Sequence, residues 1–268
     1  MGVYLRVISH FSSKLPIMSR FIYTDDDFKS LNFIIPLEKI IEKNKRHEYT
    51  THDLVKVLTD LASQKVRKED LLKAFDEIAV SLLRQTKIVT PKNHFHFREI
   101  EIYFYDEAIH PDSYAHKNKR QLKFGEWYFH RYTDIEPFMK SNRNGVDITF
   151  GNEQKSIYGG ILIRKIQNIQ TSELIVGINK VAKELIKNIE EENANSIALG
   201  FGQLAFDKTQ KLHLEVDGNN YSAPIFKTQR NGLSFKDDEL AKKYFKIAYC
   251  YHNHNLNISE IIEVRPAV

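Results

Sequence analysis

The sequence holds a single cysteine, Cys250, among its 268 residues. One thiol cannot form a disulfide within the chain or a cysteine-based zinc site, so both kinds of stabilising framework are excluded. We expect Cys250 to be a small buried hydrophobe in a strand, the commonest situation of a free cysteine. Low cysteine usage also fits a reducing compartment, and a cytoplasmic location is expected.

Long apolar runs and nucleotide-binding loops are missing too. No run of about 18 apolar residues occurs, so no membrane span is predicted, and the N-terminus lacks the apolar region of a signal peptide. Gly159-Gly160 does not begin a GxGxxG motif, and no GxxxxGK[ST] motif occurs. Nucleotide-binding α/β folds are therefore unsupported, and no cofactor is expected.

Apolar residues make up 42% of the chain and aromatic residues 12%. This composition suits a globular protein with a substantial core, and the aromatic side chains can also serve as stacking surfaces. The formal net charge is +4. Such a mildly basic balance permits a nucleic-acid partner but does not require one.

Hydrophobic periodicity predicts an α+β fold with a mainly antiparallel sheet. Helical patterns cover residues 33–45, a stretch that begins at Thr51, residues 66–85, and residues 173–193 behind a cap at Ser172. Strand patterns cover residues 94–106, 121–132, 145–151, 158–166 and 242–251. We predict a helical N-terminal extension over residues 1–65 and one α+β domain over residues 66–268.

The strand at 94–106 carries two carboxylates. Strict alternation predicts one face with Phe95, Phe97, Glu99, Glu101 and Tyr103, and the opposite face with His96, Arg98, Ile100, Ile102 and Phe104. Glu99 and Glu101 would then lie about 7 Å apart along the strand. Two buried carboxylates at that distance repel, so either the face is exposed or one pKa is raised.

Histidine pairs occur at two places. His252 and His254 lie in "YHNHN", where the spacing allows a metal site in a nuclease or a plain polar loop. His94 and His96 lie in "HFHF", where a solvated strand face competes with a ligand pair. The ββα metal signature of nucleases is absent, and we expect no metal.

Five short motifs, in order, make the chain resemble the alkyladenine (3-methyladenine) DNA glycosylase family. They are "EIEIY" (99–103), "DSYAHKNKRQ" (112–121), "EWYFHRY" (126–132), "GGILIR" (159–164), and "RNGLSF" (230–235) with "KKYFKIAYCY" (242–251). The resemblance covers about residues 70–250. It implies a curved antiparallel sheet surrounded by helices, to which this chain adds extra N-terminal helices.

The resemblance implies base excision in DNA repair, in which an alkylated purine is flipped out of duplex DNA and its N-glycosidic bond is hydrolysed. Glu101 would deprotonate the attacking water and stabilise the positive charge that builds on the sugar. Arg164 would hold the water or a phosphate beside Glu101 and keep that carboxylate ionised. The protein would act as a monomer on DNA, without a metal and without a membrane.

The resemblance also assigns residues to the flipped base. Tyr103 would stack on it, and His116 would supply the opposite face or a hydrogen bond. Tyr128 or His130 would complete an aromatic box, which suits electron-poor alkylated bases through cation–π attraction. Asp147 stands where the family has an asparagine, and an extra carboxylate there would change base discrimination or the charge of the pocket.

The DNA contacts are less defined. Lys117, Lys119 and Arg120, with Lys123, form either a phosphate-contacting loop or a plain solvated loop. Residues 133–144 interrupt the family's aromatic hairpin, and Phe138 and Met139 there are either wedge residues or buried anchors.

Two bland interpretations stay open for the catalytic pair. A strand glutamate such as Glu101 is most often a solvated residue or a salt-bridge partner, and Arg164 after "ILI" can simply cap a strand. The alternative function is therefore a non-catalytic nucleic-acid-binding or regulatory module on the same scaffold.

Overall fold

The computed structural model describes residues 51–132, 135–189, 203–217 and 224–253. All of them belong to one compact unit of the chain. The predicted helix at 33–45 and residue His254 lie outside the described residues. The predicted boundary at residue 65 stays a prediction, because most of the segment before it lies outside them as well.

The described residues form an α+β fold. The helices are α1 (Thr51–Ala62), α2 (Leu71–Gln85), α3 (Ile135–Lys140), α4 (Ile178–Ile189) and α5 (Glu239–Phe245), with 3-10 turns at Lys68–Asp70 and Lys119–Leu122. The strands are β1 (Thr86–Val89), β2 (His94–Asp106), β3 (His110–Pro111), β4 (Phe124–Phe129), β5 (Val146–Phe150), β6 (Tyr158–Asn168), β7 (Leu174–Val176), β8 (His213–Val216), β9 (Phe226–Thr228) and β10 (Cys250–His252).

Strand β2 is the centre of the sheet. Ten strands of the described residues join one sheet with the path β4-β5-β6-β2-β1-β8, and every pairing between them is antiparallel. Strand β6 pairs with β2 along almost its whole length, from Phe95 to Tyr105. The other side of β2 pairs with β1, then β10, then β3. The predicted antiparallel sheet is thereby confirmed.

The predicted face assignment of β2 is wrong in its first half. The pairing of β2 with β6 shifts register between Phe97 and Glu99 and again between Glu99 and Ile100. Phe95 and Phe97 therefore share the core face with Ile100, and all three are fully buried. A β-bulge adds a residue that alternation cannot anticipate, so the side chains beyond it change face. Glu99, Glu101 and Tyr103 remain together on the opposite face.

The hydrophobic core lies between the helices and the core face of the sheet. Helix α1 contributes Leu54, Leu58 and Leu61, which are buried in the same cluster as the apolar side of α2 and the β2 phenylalanines. Burial of such side chains stabilises the fold by about 1.5–3 kcal/mol each. None of the helices in the described residues has the length and apolar character needed to cross a bilayer.

The predicted helix 173–193 with its cap at Ser172 is wrong at its start. Residues Leu174–Val176 form strand β7, which pairs with the end of β6. Gly177 then has a positive φ of +104°, and α4 begins at Ile178. The β-branched pair Ile175-Val176 favours a strand, and Gly177 is the residue that separates it from the helix.

The predicted strand 242–251 is also shorter than expected. Asp238 caps helix α5, because its side chain accepts a hydrogen bond from the backbone N–H of Ala241 at 2.7 Å. The helix continues to Phe245, and only Cys250–His252 form the closing strand. An N-terminal cap of this kind satisfies an N–H that a helix leaves without a partner, which favours helix over strand here.

Candidate active site

Glu101 is the buried centre of the polar face of the sheet. Its side chain is 0% exposed. One carboxylate oxygen, Oε2, accepts hydrogen bonds from the Tyr103 hydroxyl at 2.9 Å and from Arg164 Nη1 at 3.2 Å. The other, Oε1, accepts one from the backbone N–H of Asn231 at 2.6 Å. The structure thus brings Glu101, Tyr103 and Arg164 together, three residues that the sequence singled out.

Glu99 shares Arg164 with Glu101 but has a different environment. Arg164 Nε lies 3.1 Å from Glu99 Oε1, and the Lys165 ammonium lies 2.8 Å from Glu99 Oε2. Burial opposes ionisation of Glu99, yet the charges of Lys165 and Arg164 outweigh it and lower its pKa. Burial raises the pKa of Glu101, and the opposing Arg164 charge does not cancel that effect. The pKa values of two neighbouring carboxylates are therefore shifted in opposite directions.

Four rings form a continuous row beside Glu101. The centroid of Tyr103 lies 6.3 Å from that of His116, His116 lies 6.1 Å from His130, and His130 lies 4.7 Å from Tyr128. We call these residues the ring cluster. His116 is exposed and the other three are partly buried. Burial and the nearby His130 lower the pKa of His116.

Asp147 lies beside the ring cluster but is itself only 1% exposed. Its Oδ2 accepts a hydrogen bond from Gln121 Nε2 at 3.0 Å. Its Oδ1 lies 2.9 Å from His130 Nε2, at an angle that misses a hydrogen bond. A Cβ on Gly160 would lie 2.7 Å from Asp147 Oδ2, so the glycine makes room for this carboxylate. Asp147 is therefore buried behind His130, and its negative charge also acts on Tyr128 and His116.

The register of the strands explains why these residues meet. Tyr128 of β4 is opposite Asp147 of β5, which is opposite Leu162 of β6, which is opposite Glu101 of β2. Residues in one such row point to the same face of a sheet. With about 4.8 Å between neighbouring strands, Leu162 fills a gap of about 10 Å between the backbones at Asp147 and Glu101.

A buried ion pair supports Tyr103 from behind. Arg230 donates to both oxygens of Asp112, at 2.6 and 3.3 Å, and to the backbone carbonyl of Tyr244 at 3.2 Å. The side chains of Arg230 and Asp112 are fully buried. The guanidinium carbon of Arg230 lies 4.7 Å from the centroid of the Tyr103 ring. A bidentate pair of this kind fixes the guanidinium plane, and with it one side of Tyr103.

Sequence reasoning missed the roles of Arg230, Asn231 and Gln121. Arg230 and Asn231 occur in the quoted motif "RNGLSF", but no spacing indicates that they reach residues 103 and 101 across more than a hundred positions. Gln121 closes a capping box with Asn118 and donates its remaining amide to Asp147. An Asn-x-x-Gln pattern ahead of a strand was the available signal.

The basic loop holds Lys117, Lys119, Arg120 and Lys123, and three of these cations contact other side chains. The Lys117 ammonium lies 3.5 Å from the centroid of the Tyr105 ring, and Arg120 lies 3.5 Å from Glu126. Lys123 pairs with Glu153 at 2.6 Å. Lys117 and Lys119 are exposed. The loop therefore offers positive charge to solvent next to His116.

Phe138 and Met139 lie in helix α3. Phe138 is 2% exposed, and its ring contacts those of Phe129 and Tyr132 at 6.1 and 5.3 Å. Met139 is partly buried and packs against the same core. Because a wedge residue has to reach the base stack, this position of Phe138 fits the buried-anchor interpretation.

Of the histidine pair considered for a nuclease, His252 lies within the described residues and His254 does not. His252 ends strand β10, is 3% exposed, and stacks on Phe226 with ring centroids 5.8 Å apart. Within the described residues, no group of three histidine, cysteine, aspartate or glutamate side chains is arranged to hold a metal ion. Cys250, expected to be buried in a strand, is in β10 and is fully buried.

Comparison with known proteins shows a relative but no family model. No model of a protein family matches this sequence. The protein described as "Uncharacterized protein L759" of Acanthamoeba polyphaga mimivirus is 30% identical over 173 residues, which is 60% of this chain and 79% of that protein. At this identity and coverage, the chain belongs to the same family as the mimivirus protein L759.

Proposed function

We propose that this protein is a DNA glycosylase-like hydrolase that removes an alkylated purine flipped out of duplex DNA. The observation that carries the proposal is the hydrogen bond from Tyr103 to the buried carboxylate of Glu101. It places a group that can activate water directly beside a ring that can stack on the flipped base.

The ring cluster gives the base a place. Two stacking contacts of about 3.5 Å each need about 7 Å between the outer rings. Tyr103 and His116 are 6.3 Å apart and inclined by 32°, so a small outward turn of exposed His116 admits a planar base. The Arg230 guanidinium lies over the Tyr103 ring, 4.7 Å from its centroid, so it occupies one face of that ring and the base would need the other.

The chemistry follows from Glu101 and Arg164. A water gives a proton to Glu101 while its oxygen bonds to C1′ of the sugar. The bond from C1′ to the base nitrogen breaks, and its electron pair neutralises the positive charge of the alkylated base. The ionised side chain also stabilises the positive charge on the sugar in the transition state. The raised pKa of Glu101 makes it a stronger base than an ordinary carboxylate.

Glu101 is 0% exposed, so water reaches it only when a neighbouring group moves. Tyr103 and Arg164 extend from strands β2 and β6, whereas Asn231 follows β9 in an exposed loop. We therefore assign the Asn231 N–H as the donor that yields to the attacking water. We also propose that the sheet curves around the bound base.

The test is base release from duplex oligonucleotides that each contain one alkylated purine. Glu101→Gln keeps the shape of the side chain and removes its basicity, so release should slow by at least about 100-fold while DNA binding persists. Release by the native protein should rise with pH as Glu101 ionises through its raised pKa.

Glu99→Gln is the matched control, because Glu99 lies two residues away on the same face and also contacts Arg164. It should slow release much less than Glu101→Gln. Equal loss in both variants would assign the effect to Arg164 rather than to Glu101. Absence of any abasic product from the native protein over the whole panel would refute the proposed hydrolysis.

A non-catalytic nucleic-acid-binding module is the second candidate. The three protein donors on the buried Glu101 carboxylate favour it, since a purely structural carboxylate is expected to have hydrogen-bond partners of this kind. This function predicts salt-sensitive DNA binding by the native protein and by Glu101→Gln alike, with no abasic product from either.

A further inference from the structure

Phe235 is the most exposed large hydrophobic side chain of the described residues, at 54%. It lies in the loop formed by residues 230–236, which we call the Phe235 loop. Its ring makes an edge-to-face contact with Phe245 at 5.7 Å, and about half of its surface faces solvent. Single exposed hydrophobic side chains are common on protein surfaces, so the place of Phe235 beside the candidate active site is what makes it a candidate contact.

The Phe235 loop begins inside the candidate active site. Arg230 contacts the Tyr103 ring, and the backbone N–H of Asn231 binds Glu101. Phe235 follows Asn231 by four residues, a reach of at most about 14 Å. The exposed Phe235 ring and the backbone N–H that binds Glu101 therefore belong to one short segment of the chain.

The far end of the Phe235 loop contacts the segment just before His116. The Lys236 ammonium donates to the backbone carbonyl of Ser113 at 2.9 Å and lies 4.8 Å from the centroid of the Tyr114 ring. Its positive charge is close enough to help lower the pKa of His116, after the larger effects of burial and His130. The loop therefore spans from Glu101 to the segment that carries His116.

Lysines lie near both the Phe235 loop and His116. Lys236 is its neighbour in sequence, and Lys117 and Lys119 are exposed beyond His116. Acidic residues also follow the loop, but each has a partner. Asp238 caps helix α5, and Lys242 lies 2.8 Å from Asp237 and 3.1 Å from Glu239. The formal charges of these three acids cancel those of Lys236, Lys242 and Lys243, so the positive charge at the rim comes from Lys117 and Lys119.

We propose that Phe235 enters the base stack of duplex DNA next to the flipped nucleotide, and that the Phe235 loop is the duplex-facing rim of the pocket. The inference rests on the proposed function for the nature of its partner. An apolar side chain between two base pairs fills the space that a flipped base leaves, and nearby cations hold the backbone. Phe138, in the core, cannot serve in this way without leaving it.

The experiment measures unstacking separately from base release. The full-length protein is titrated into a duplex with a stable abasic-site analogue beside 2-aminopurine, whose fluorescence rises on unstacking, and anisotropy gives the Kd. We expect the native protein to raise the fluorescence. Phe235→Ala should lose most of that rise and bind the duplex about tenfold more weakly, with single-strand affinity unchanged.

Two further variants complete the design. Phe235→Trp retains an apolar wedge and should keep the fluorescence rise. Leu174→Ala removes an apolar side chain of similar exposure, 44%, from β7, and should behave as the native protein. Thermal unfolding of Phe235→Ala should match the native protein, because the side chain is largely in solvent.

The outcomes separate this inference from the proposed function. A full fluorescence rise with Phe235→Ala, or no rise with the native protein, overturns the assignment of Phe235. Loss of the rise in Phe235→Ala supports it whether or not the native protein releases a base, because unstacking requires no hydrolysis. Base release with unchanged unstacking in Phe235→Ala leaves the glycosylase proposal standing and removes the wedge.

Discussion

The burial of Glu101 favours the proposed chemistry but lowers the stability of the fold once the side chain is ionised. Its burial disfavours the charged form, and its folded-state pKa is therefore raised. In the unfolded chain the same group has a pKa of about 4.3. Ionisation is harder in the folded protein, so the contribution of Glu101 to stability is greatest below the unfolded pKa and is lost as pH rises through the folded pKa. A group retained at such a cost is typical of functional sites.

We predict that Glu101→Gln changes stability in a pH-dependent direction. The glutamine carries no charge, so relative to the native protein the variant should gain stability as pH rises from about 4 to about 8. Urea unfolding of both proteins at the two ends of this range measures the difference. A stability difference that does not change with pH would show that the pKa of Glu101 is the same in the folded and the unfolded chain, which contradicts a raised pKa in the fold.

At the scale of single elements, strand β6 has two adjacent glycines on opposite faces of the sheet, one facing the core and one facing the candidate site. A Cβ on Gly159 would lie 2.7 Å from the Phe150 ring, which stacks on Phe104 in the core. A Cβ on Gly160 would lie 2.7 Å from Asp147 Oδ2 and 2.8 Å from Gln121 Nε2. Successive residues of a strand point to opposite faces, so each glycine admits a different set of neighbours.

We therefore predict different consequences for Gly159→Ala and Gly160→Ala. The first should lower the free energy of unfolding by about 1–3 kcal/mol through overpacking against Phe150. The second displaces Asp147 and Gln121, so it should weaken ligand binding at the ring cluster. Denaturant unfolding and DNA-binding titrations of both variants test this. Equal effects on both quantities would contradict the division of β6 into a core face and a site face.

A buried ion pair couples helix α2 to the closing strands. The Lys227 ammonium of β9 lies 2.5 Å from Asp76 Oδ1, and the Tyr251 hydroxyl of β10 donates to the same carboxylate at 2.9 Å. Burial raises the pKa of Asp76 despite Lys227. The pair is remote in sequence, by 151 positions, and joins the first half of the fold to the last.

We predict that Asp76→Asn destabilises the fold by about 3–5 kcal/mol, because it leaves Lys227 buried without its counter-charge. The measurement is urea unfolding at neutral pH. The double variant Asp76→Asn with Lys227→Met should recover part of the loss, since it removes the uncompensated charge. No recovery would mean that the hydrogen bond from Tyr251, rather than the ion pair, stabilises this junction.

For the whole molecule, the charge is weak but unevenly placed. The net charge is only +4, yet Lys117, Lys119 and Lys236 lie around the ring cluster. A protein of this kind binds DNA through few phosphate contacts, and each contact contributes about 0.9 to the slope of log K against log salt.

We predict that Lys119→Ala lowers this slope by about one and weakens binding to all DNA sequences alike. Lys92→Ala is the control. Lys92 is also exposed, but it lies in the turn before β2, at the end of that strand opposite Tyr103. Binding titrations at several salt concentrations measure both slopes. An equal change in the two variants would contradict a basic rim at the site.

The amino-acid sequence by itself determined the class of the fold. Period-two and period-3.6 patterns place most strands and helices, because side-chain alternation is a local property of the backbone. The same alternation predicted that Glu101 and Tyr103 lie on one face, as the hydrogen bond between them requires. Arg164 was found through a motif, and β6 pairs beside β2 to bring it within reach.

Only the tertiary structure decided which residues complete the site. The bulge that turns Phe95 and Phe97 into the core depends on hydrogen bonds between strands, which one strand's sequence does not contain. Arg230 reaches Asp112 across 118 positions, and Asn231 reaches Glu101 across 130. The burial of Phe138 and the exposure of Phe235 were likewise set by packing. Both are phenylalanines in polar surroundings of the chain, and only the neighbours that the fold supplies distinguish an anchor from an exposed ring.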